Sequence, residues 1–142
     1  MPATFTKEEA HSFPDREVRW VYLATIGKEG YPHTVPIGFF RIGDDVYAGG
    51  HLGTQRLANI ARNTKVSALF ESGMSMKDIK GLLIQGDASV VSEPAAVLEL
   101  MRASMKKRGV PDDQLPAEPR PGVAYIKITP RKYISWDYSR EP

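Results

Sequence analysis

The residues best suited to chemistry lie between Gly49 and Arg56, Gly-Gly-His-Leu-Gly-Thr-Gln-Arg. Glycines, then a hydroxyl, then a guanidinium at the start of a helical pattern describe an anion cradle. Such a helix start presents free backbone N–H groups and the positive end of the helix dipole. Thr54 occupies the natural N-cap, and Arg56 adds a fork of donors that matches a phosphate. The loop is not a Walker loop, because no Gly-Lys-Ser/Thr follows, and it lacks the Gly-x-Gly-x-x-Gly order of dinucleotide folds. An ordinary capped helix start reads the same way locally, so the rest of the chain must decide.

Other chemistries are excluded or weak. With no cysteine in the chain, disulfides, thiolate zinc sites and a cysteine nucleophile are ruled out. The three histidines, His11, His33 and His51, show no metal-ligand spacing, and nothing about them supports haem ligation. His51 lies in the glycine loop, where it either pairs with an anion or stands as a loop histidine. We read His33 as a strand residue rather than a proton carrier. No triad or acid–base pair stands out, and the catalytic residues are unassigned. Net charge is +2, too small to argue for nucleic acid, and the basic run Lys106-Lys107-Arg108 falls at a helix end, where cations are ordinary.

The elements that position the loop follow from pattern. The chain has 142 residues, 42% apolar and 25% charged, which suits one globular domain over residues 1–142. Thr6 to Glu9 is a capping box opening a short helix to about Ser12, which Phe13-Pro14-Asp15 should break. Val18 to Ile26 reads as a strand buried on both faces. Gly27 to Gly30 turns into a second strand, Tyr31 to Arg41. Pro32 and Pro36 cannot donate to a ladder, so they belong at an edge, a bulge or a bend. Val46 to Gly49 is a third strand. The central helix follows, with Leu57, Ile60 and Ala61 as its apolar face.

Lys65 to Glu71 and Gly81 to Ser92 are the next strands, and Gly86 marks a bulge or close approach in the second. Between them, Ser72 to Lys80 is a polar loop in which Ser75, Asp78 and Lys80 could form a lid. Pro94 opens a helix whose buried face should be Ala95, Leu98, Met101 and Met105, with Gly109 ending it. Residues 110–122 hold four prolines and form a stiff surface loop. Val123 to Thr129 is the sixth strand, and Lys132 to Trp136 resumes extended after Pro130. Six or seven strands with three helices indicate a mainly β architecture, an antiparallel closed or half-closed barrel with peripheral helices.

Five segments in order resemble the pyridoxamine 5′-phosphate oxidase-like split barrels. They are Leu23 to Ile26, Gly30 to Pro36, Gly49 to Arg56, Asn59 to Val66, and Gly86 to Ala88. The resemblance covers about Val18 to Trp136. It implies a six-stranded antiparallel split β-barrel of the FMN-binding type and a homodimer. FMN, or the deazaflavin coenzyme F420, would lie in a groove between subunits. It also implies roles. Thr54, Gln55 and Arg56 match the phosphate-binding segment. Val35, Pro36, Ile37 and Gly38 match the strand edge along the flavin ring, and Gly49 and Gly50 match the small positions beside it. Gln85 and Trp136 match regions that approach from the neighbouring subunit. A tryptophan there serves equally as a core or dimer anchor.

The chain departs from the true oxidases in lacking their C-terminal Trp…Arg-x-His-x-Arg segment, which argues against pyridoxal phosphate as substrate. Arg56 stands where many relatives have Lys, and Thr64 where they often have Pro. The reading is an FMN-dependent oxidoreductase acting on an unidentified small molecule. A deazaflavin reductase, a non-catalytic flavin or haem carrier, and a dimer with an empty groove are the alternatives. F420 carries an acidic tail, for which Arg62 and Lys65 are the available cations. The early residues are heavily charged and no apolar run is long enough to span a bilayer, so a cytoplasmic protein without membrane or nucleic-acid partners is expected.

Overall fold

In the computed structural model, which describes residues 2–140, the N-terminal cap forms as expected. The Glu9 N–H donates to Thr6 Oγ1 at 3.1 Å, and the Thr6 N–H donates to the Glu9 carboxylate at 2.9 Å. Helix α1 (Lys7–Glu17) then runs through Pro14 instead of stopping before it. Proline removes one helical hydrogen bond, but Phe13 and Pro14 are both buried. Phe13 packs edge-on against Phe5, with ring centroids 4.9 Å apart. Apolar burial outweighs the lost bond here.

The strands are β1 (Val21–Ile26), β2 (Pro32–Ile37), β3 (Phe39–Ile42), β4 (Asp45–His51), β5 (Lys65–Ser72), β6 (Lys80–Val91) and β7 (Val123–Asp137). They form one sheet in the order β2-β1-β5-β6-β7-β4-β3, and every pairing is antiparallel. The outermost strands, β2 and β3, are consecutive in the chain with Gly38 alone between them. The sheet must therefore curl until its two edges nearly meet, which makes a barrel split between β2 and β4. The Gly49 N–H donates to Gly38 O at 3.1 Å, continuing the β3–β4 ladder by one rung up to the mouth of that split.

Strand boundaries differ from the expected ones for identifiable reasons. The anticipated strand from Tyr31 to Arg41 is two strands, because Gly38 switches the chain from one end of the sheet to the other. Pro32 and Pro36 lie on the outermost strand, where a missing donor costs no ladder bond. β1 starts at Val21, and only Val21, Leu23 and Thr25 are buried; the opposite face is half-exposed. β7 is continuous through Pro130, and the division at Gly38 makes seven strands rather than six. At its midpoint Gln85 pairs with Lys132 and Gly86 with Pro130, leaving Arg131 as the extra residue of a bulge. Gly86 is required there, since a Cβ on it would lie 2.4 Å from Thr129 O.

Phe70, Leu23, Leu82, Ile84, Ile126 and Ile128 fill the barrel interior. Helix α3 (Pro94–Lys107) is capped by Glu93, whose carboxylate accepts from the Ala95 and Ala96 N–H groups at 3.1 and 2.9 Å. Its buried residues are Val97 and Met101, while Ala95 is exposed. The expected face was thus rotated by part of a turn, because α3 lays its 97–101 stripe on the sheet. In the loop after β5, Asp78 accepts from the Met74 and Ser75 N–H groups at 3.0 and 2.7 Å. Lys80 pairs with Glu17 at 3.3 Å rather than joining that loop.

The chain ends are tied together at Asp137. Its N–H donates to Ala3 O at 2.8 Å, and its carboxylate accepts from Ser139 N–H and Arg140 Nε, each at 2.9 Å. Burial alone would raise its pKa, but the Ser139 hydrogen bonds and the Arg140 guanidinium hold it below the usual carboxylate range. A lowered folded-state pKa means the stabilisation is complete above the unfolded value of about 4 and is lost as pH falls below it. Urea midpoints should therefore fall as pH drops below about 4, and Asp137→Asn should flatten that limb. An unchanged acid limb in the variant would show that Asp137 is not the group responsible.

Candidate functional site

The site is built where β4 runs into helix α2 (Gln55–Arg62). Thr54 has N-cap geometry, with φ −78 and ψ 155, yet its side chain does not cap. Its hydroxyl instead donates back to His51 O at 2.9 Å. The first turn of α2 contains no acidic residue. Its leading N–H groups therefore keep their positive end uncompensated, which is the condition for binding an anion.

Arg56 reaches from that turn across β4. Its Nε and Nη2 stand 3.4 and 3.3 Å from Gly49 O, long for hydrogen bonds. Among the described residues no carboxylate pairs with it. Burial pushes its pKa down, the signature of a cation partly withdrawn from water without a counter-ion. Gly49 is the same residue that bonds to Gly38. The split of the barrel, the β4 glycines and the α2 cation thus meet at one place.

The glycines leave room there. A Cβ on Gly38 would meet nothing within 4 Å, and one on Gly49 would meet only Gly38 O, at 4.0 Å. Gly50 serves packing instead: its Cβ would lie 3.0 Å from Leu57 Cδ1 and 3.3 Å from Ala124 O. Beside the seam, Val35 and Ile37 are half-buried and Pro36 is exposed on the bare outer edge of β2. His51 is exposed. His33 is half-buried, and its Nδ1 is buried without a hydrogen-bond partner among the described residues.

Gln55 opens helix α2. Its side chain turns down the helix and donates to Asn59 Oδ1 at 2.8 Å, so only its backbone N–H stays at the cradle. Asn59, fully buried, donates to the fully buried Thr25 hydroxyl at 3.0 Å. Arg62 Nη2 donates to Asn59 Oδ1 at 2.7 Å. This network was not anticipated: Ala61, assigned to the buried face, is exposed, and Asn59 takes an inward place. The signal was Thr25, which shares the inward alternation of Val21 and Leu23 and therefore needed a partner. Asn59→Ala leaves that hydroxyl buried and unpaired. It should cost roughly 1–3 kcal/mol, read as a lower urea midpoint with an unchanged slope; no loss would mean water replaces the amide.

Gln85 and Trp136 sit elsewhere on the sheet. Gln85 lies opposite Ser67 and Lys132. With Ala24, Ile26, Lys65 and Arg131 it lines a cleft of about 440 Å³. Trp136 pairs with Gly81, and its indole occupies the space a Gly81 side chain would need, 2.2 Å from the ideal Cβ. The seam itself offers backbone donors, one guanidinium and space. It holds no nucleophile–base pair, so what it can do alone is bind an oxyanion and the body attached to it.

The sequence model of the pyridoxamine 5′-phosphate oxidase family matches residues 6–137, and the chain belongs to that family. No curated protein sequence matches it. Among solved structures, the chain is similar to a conserved hypothetical protein from Mycobacterium tuberculosis, with 23% identity over 94% of this chain and 86% of that one and a TM-score of 0.80. It is also similar to an FAD-binding protein from Mesorhizobium loti, with 18% identity, 95% and 96% coverage and a TM-score of 0.71. An F420 reductase superposes with a TM-score of 0.66 at 17% identity, covering 87% of this chain and 95% of that one. At these identities the shared property is the split-barrel fold.

Proposed function

We propose that this protein is an FMN-binding oxidoreductase that acts as a homodimer on a small molecule. The observation that carries the reading is the uncapped start of α2 with the unpaired Arg56 beside the Gly38–Gly49 seam. A phosphate there would supply the acceptor that these donors lack. Thr54, the Gln55 N–H and Arg56 would hold it. Val35 to Gly38 would back the ring, with Gly49 leaving space beside it. Bound flavin supplies the hydride or electron transfer; the protein supplies binding, orientation and electrostatics.

The dimer reading is supported by the outer face of the sheet. Tyr22, Leu69, Leu83 and Ile134 stand opposite one another across four strands, none of them buried. The adjoining row, Ala24, Ser67, Gln85 and Lys132, carries Gln85 on the same face. A second copy on this face would bring its Gln85 and Trp136 region towards the seam of the first. An apolar row of this kind rimmed by charge suits a homodimer core.

A second reading, binding of coenzyme F420, is favoured by one feature. Lys65 and Lys132 line the Gln85 cleft and could meet an acidic tail, while Arg131 there is paired with Asp87 at 2.6 Å. Arg62 is already committed to Asn59. Purified protein decides between these. FMN should bind one per subunit, give the flavin absorption bands, and be reduced by a nicotinamide nucleotide. Preference for F420 over FMN would support the second reading. A Soret band would indicate a haem carrier, and a colourless dimer without affinity for either cofactor would end both.

A further inference from the structure

Arg41, on β3, is a cation that the flavin reading does not use. It is only 6% exposed. Its guanidinium donates to the His11 carbonyl and to Gly43 O at 3.0 Å, and Nη2 stands 3.2 Å from both His11 ring nitrogens. Asp44 bonds to His11 Nε2 at 2.8 Å, not to Arg41. No carboxylate forms an ion pair with Arg41 among the described residues. Its Nε is buried with no hydrogen-bond partner. A guanidinium withdrawn from water in this way is costly unless an anion compensates it.

Arg41 also lines a cleft of about 330 Å³ beside β3, between the C-terminal ends of α1 and α3. Arg19, Lys107 and Arg108 line it too, with Asp15 as the one carboxylate, and Phe39 and Phe40 supply apolar surface. Lys107 and Arg108 complement the negative end of α3, which explains cations there. That role does not explain Arg19, or a buried Arg41 without a counter-ion. The volume is in the range of small-molecule pockets.

We propose that this cleft binds a small organic anion, a carboxylate or phosphate ester on an aromatic body. The acidic group would meet Arg41 and the rim cations, and the body would rest on the phenylalanines. Arginine's fixed fork of donors suits either acid. The inference does not rest on the flavin reading: the cleft shares no residue with the Gly38–Gly49–Arg56 seam, although Phe39 follows Gly38 directly.

Calorimetric titration of the full chain with phenyl phosphate, benzoate and neutral benzyl alcohol tests it, with and without FMN present. One of the two anions should bind saturably, and the stronger of them identifies the acid; benzyl alcohol should not bind. The surface variant Lys107→Ala/Arg108→Ala should weaken the anion about tenfold, the scale of losing two exposed charge contacts, and leave FMN affinity unchanged. Arg41→Lys, checked for folding by circular dichroism, should weaken it as well. Binding of neither anion at millimolar concentration, equal binding of the alcohol, or unchanged affinity in the double variant would overturn the proposal.

Discussion

Replacing Arg56 with Ala should weaken FMN binding by roughly 1.5–3 kcal/mol, the range for a hydrogen bond to a charged group, which is about tenfold to a hundredfold or more in Kd. The side chain forms no ion pair among the described residues, and its contacts to Gly49 O are long. Removing it therefore strands no carboxylate, and the fold should keep close to its full stability. The effect should appear in binding alone. Arg56→Lys keeps the charge but loses the fork, so it should fall between the two. Quenching of flavin fluorescence on titration measures all three proteins, and the difference should shrink as salt is raised. Equal affinity in wild type and Arg56→Ala would place the phosphate elsewhere.

Phe70→Ala should cost about 3–5 kcal/mol of folding stability, as removal of a fully buried aromatic ring does. Phe70 is completely buried. Its ring meets Phe39 edge-on, with centroids 4.9 Å apart and planes at 75°. Phe39 is the first residue of β3, directly after Gly38. The void would thus open behind the seam, and FMN affinity should fall along with stability. Urea unfolding followed by circular dichroism would show the loss as a lower midpoint at constant slope. A loss under about 1 kcal/mol would mean the barrel collapses around the void, so that the seam does not depend on this contact.

Local chemistry made much of this site legible in advance. Prolines at 32 and 36 demanded an edge, a bulge or a bend, and they occupy the outermost strand. Gly86 demanded a bulge or a close approach, and it stands at both: the register shifts there and Thr129 O fills the place of its side chain. The glycine loop followed by Thr54 demanded a helix start, and α2 begins at Gln55. What escaped notice depends on partners distant in the chain. Pro14 stays helical because Phe13 beside it is buried in the core. Asn59 is inward because Thr25, 34 residues away, needs its amide. Gly38 looked like one residue within a long strand, but it is where the chain crosses from one end of the sheet to the other. That role follows from closure of the barrel, which no local pattern encodes. Arg41, the last residue of the expected second strand, is buried beside His11.

The most direct measurement is electron density for FMN in crystals of the protein grown or soaked with it. The phosphate should lie at the start of α2, within hydrogen-bonding distance of the Arg56 guanidinium and the first N–H groups of the helix, with the ring along Val35 to Gly38. A phosphate bound away from α2, or a ring lying away from Val35 to Gly38, would contradict the account.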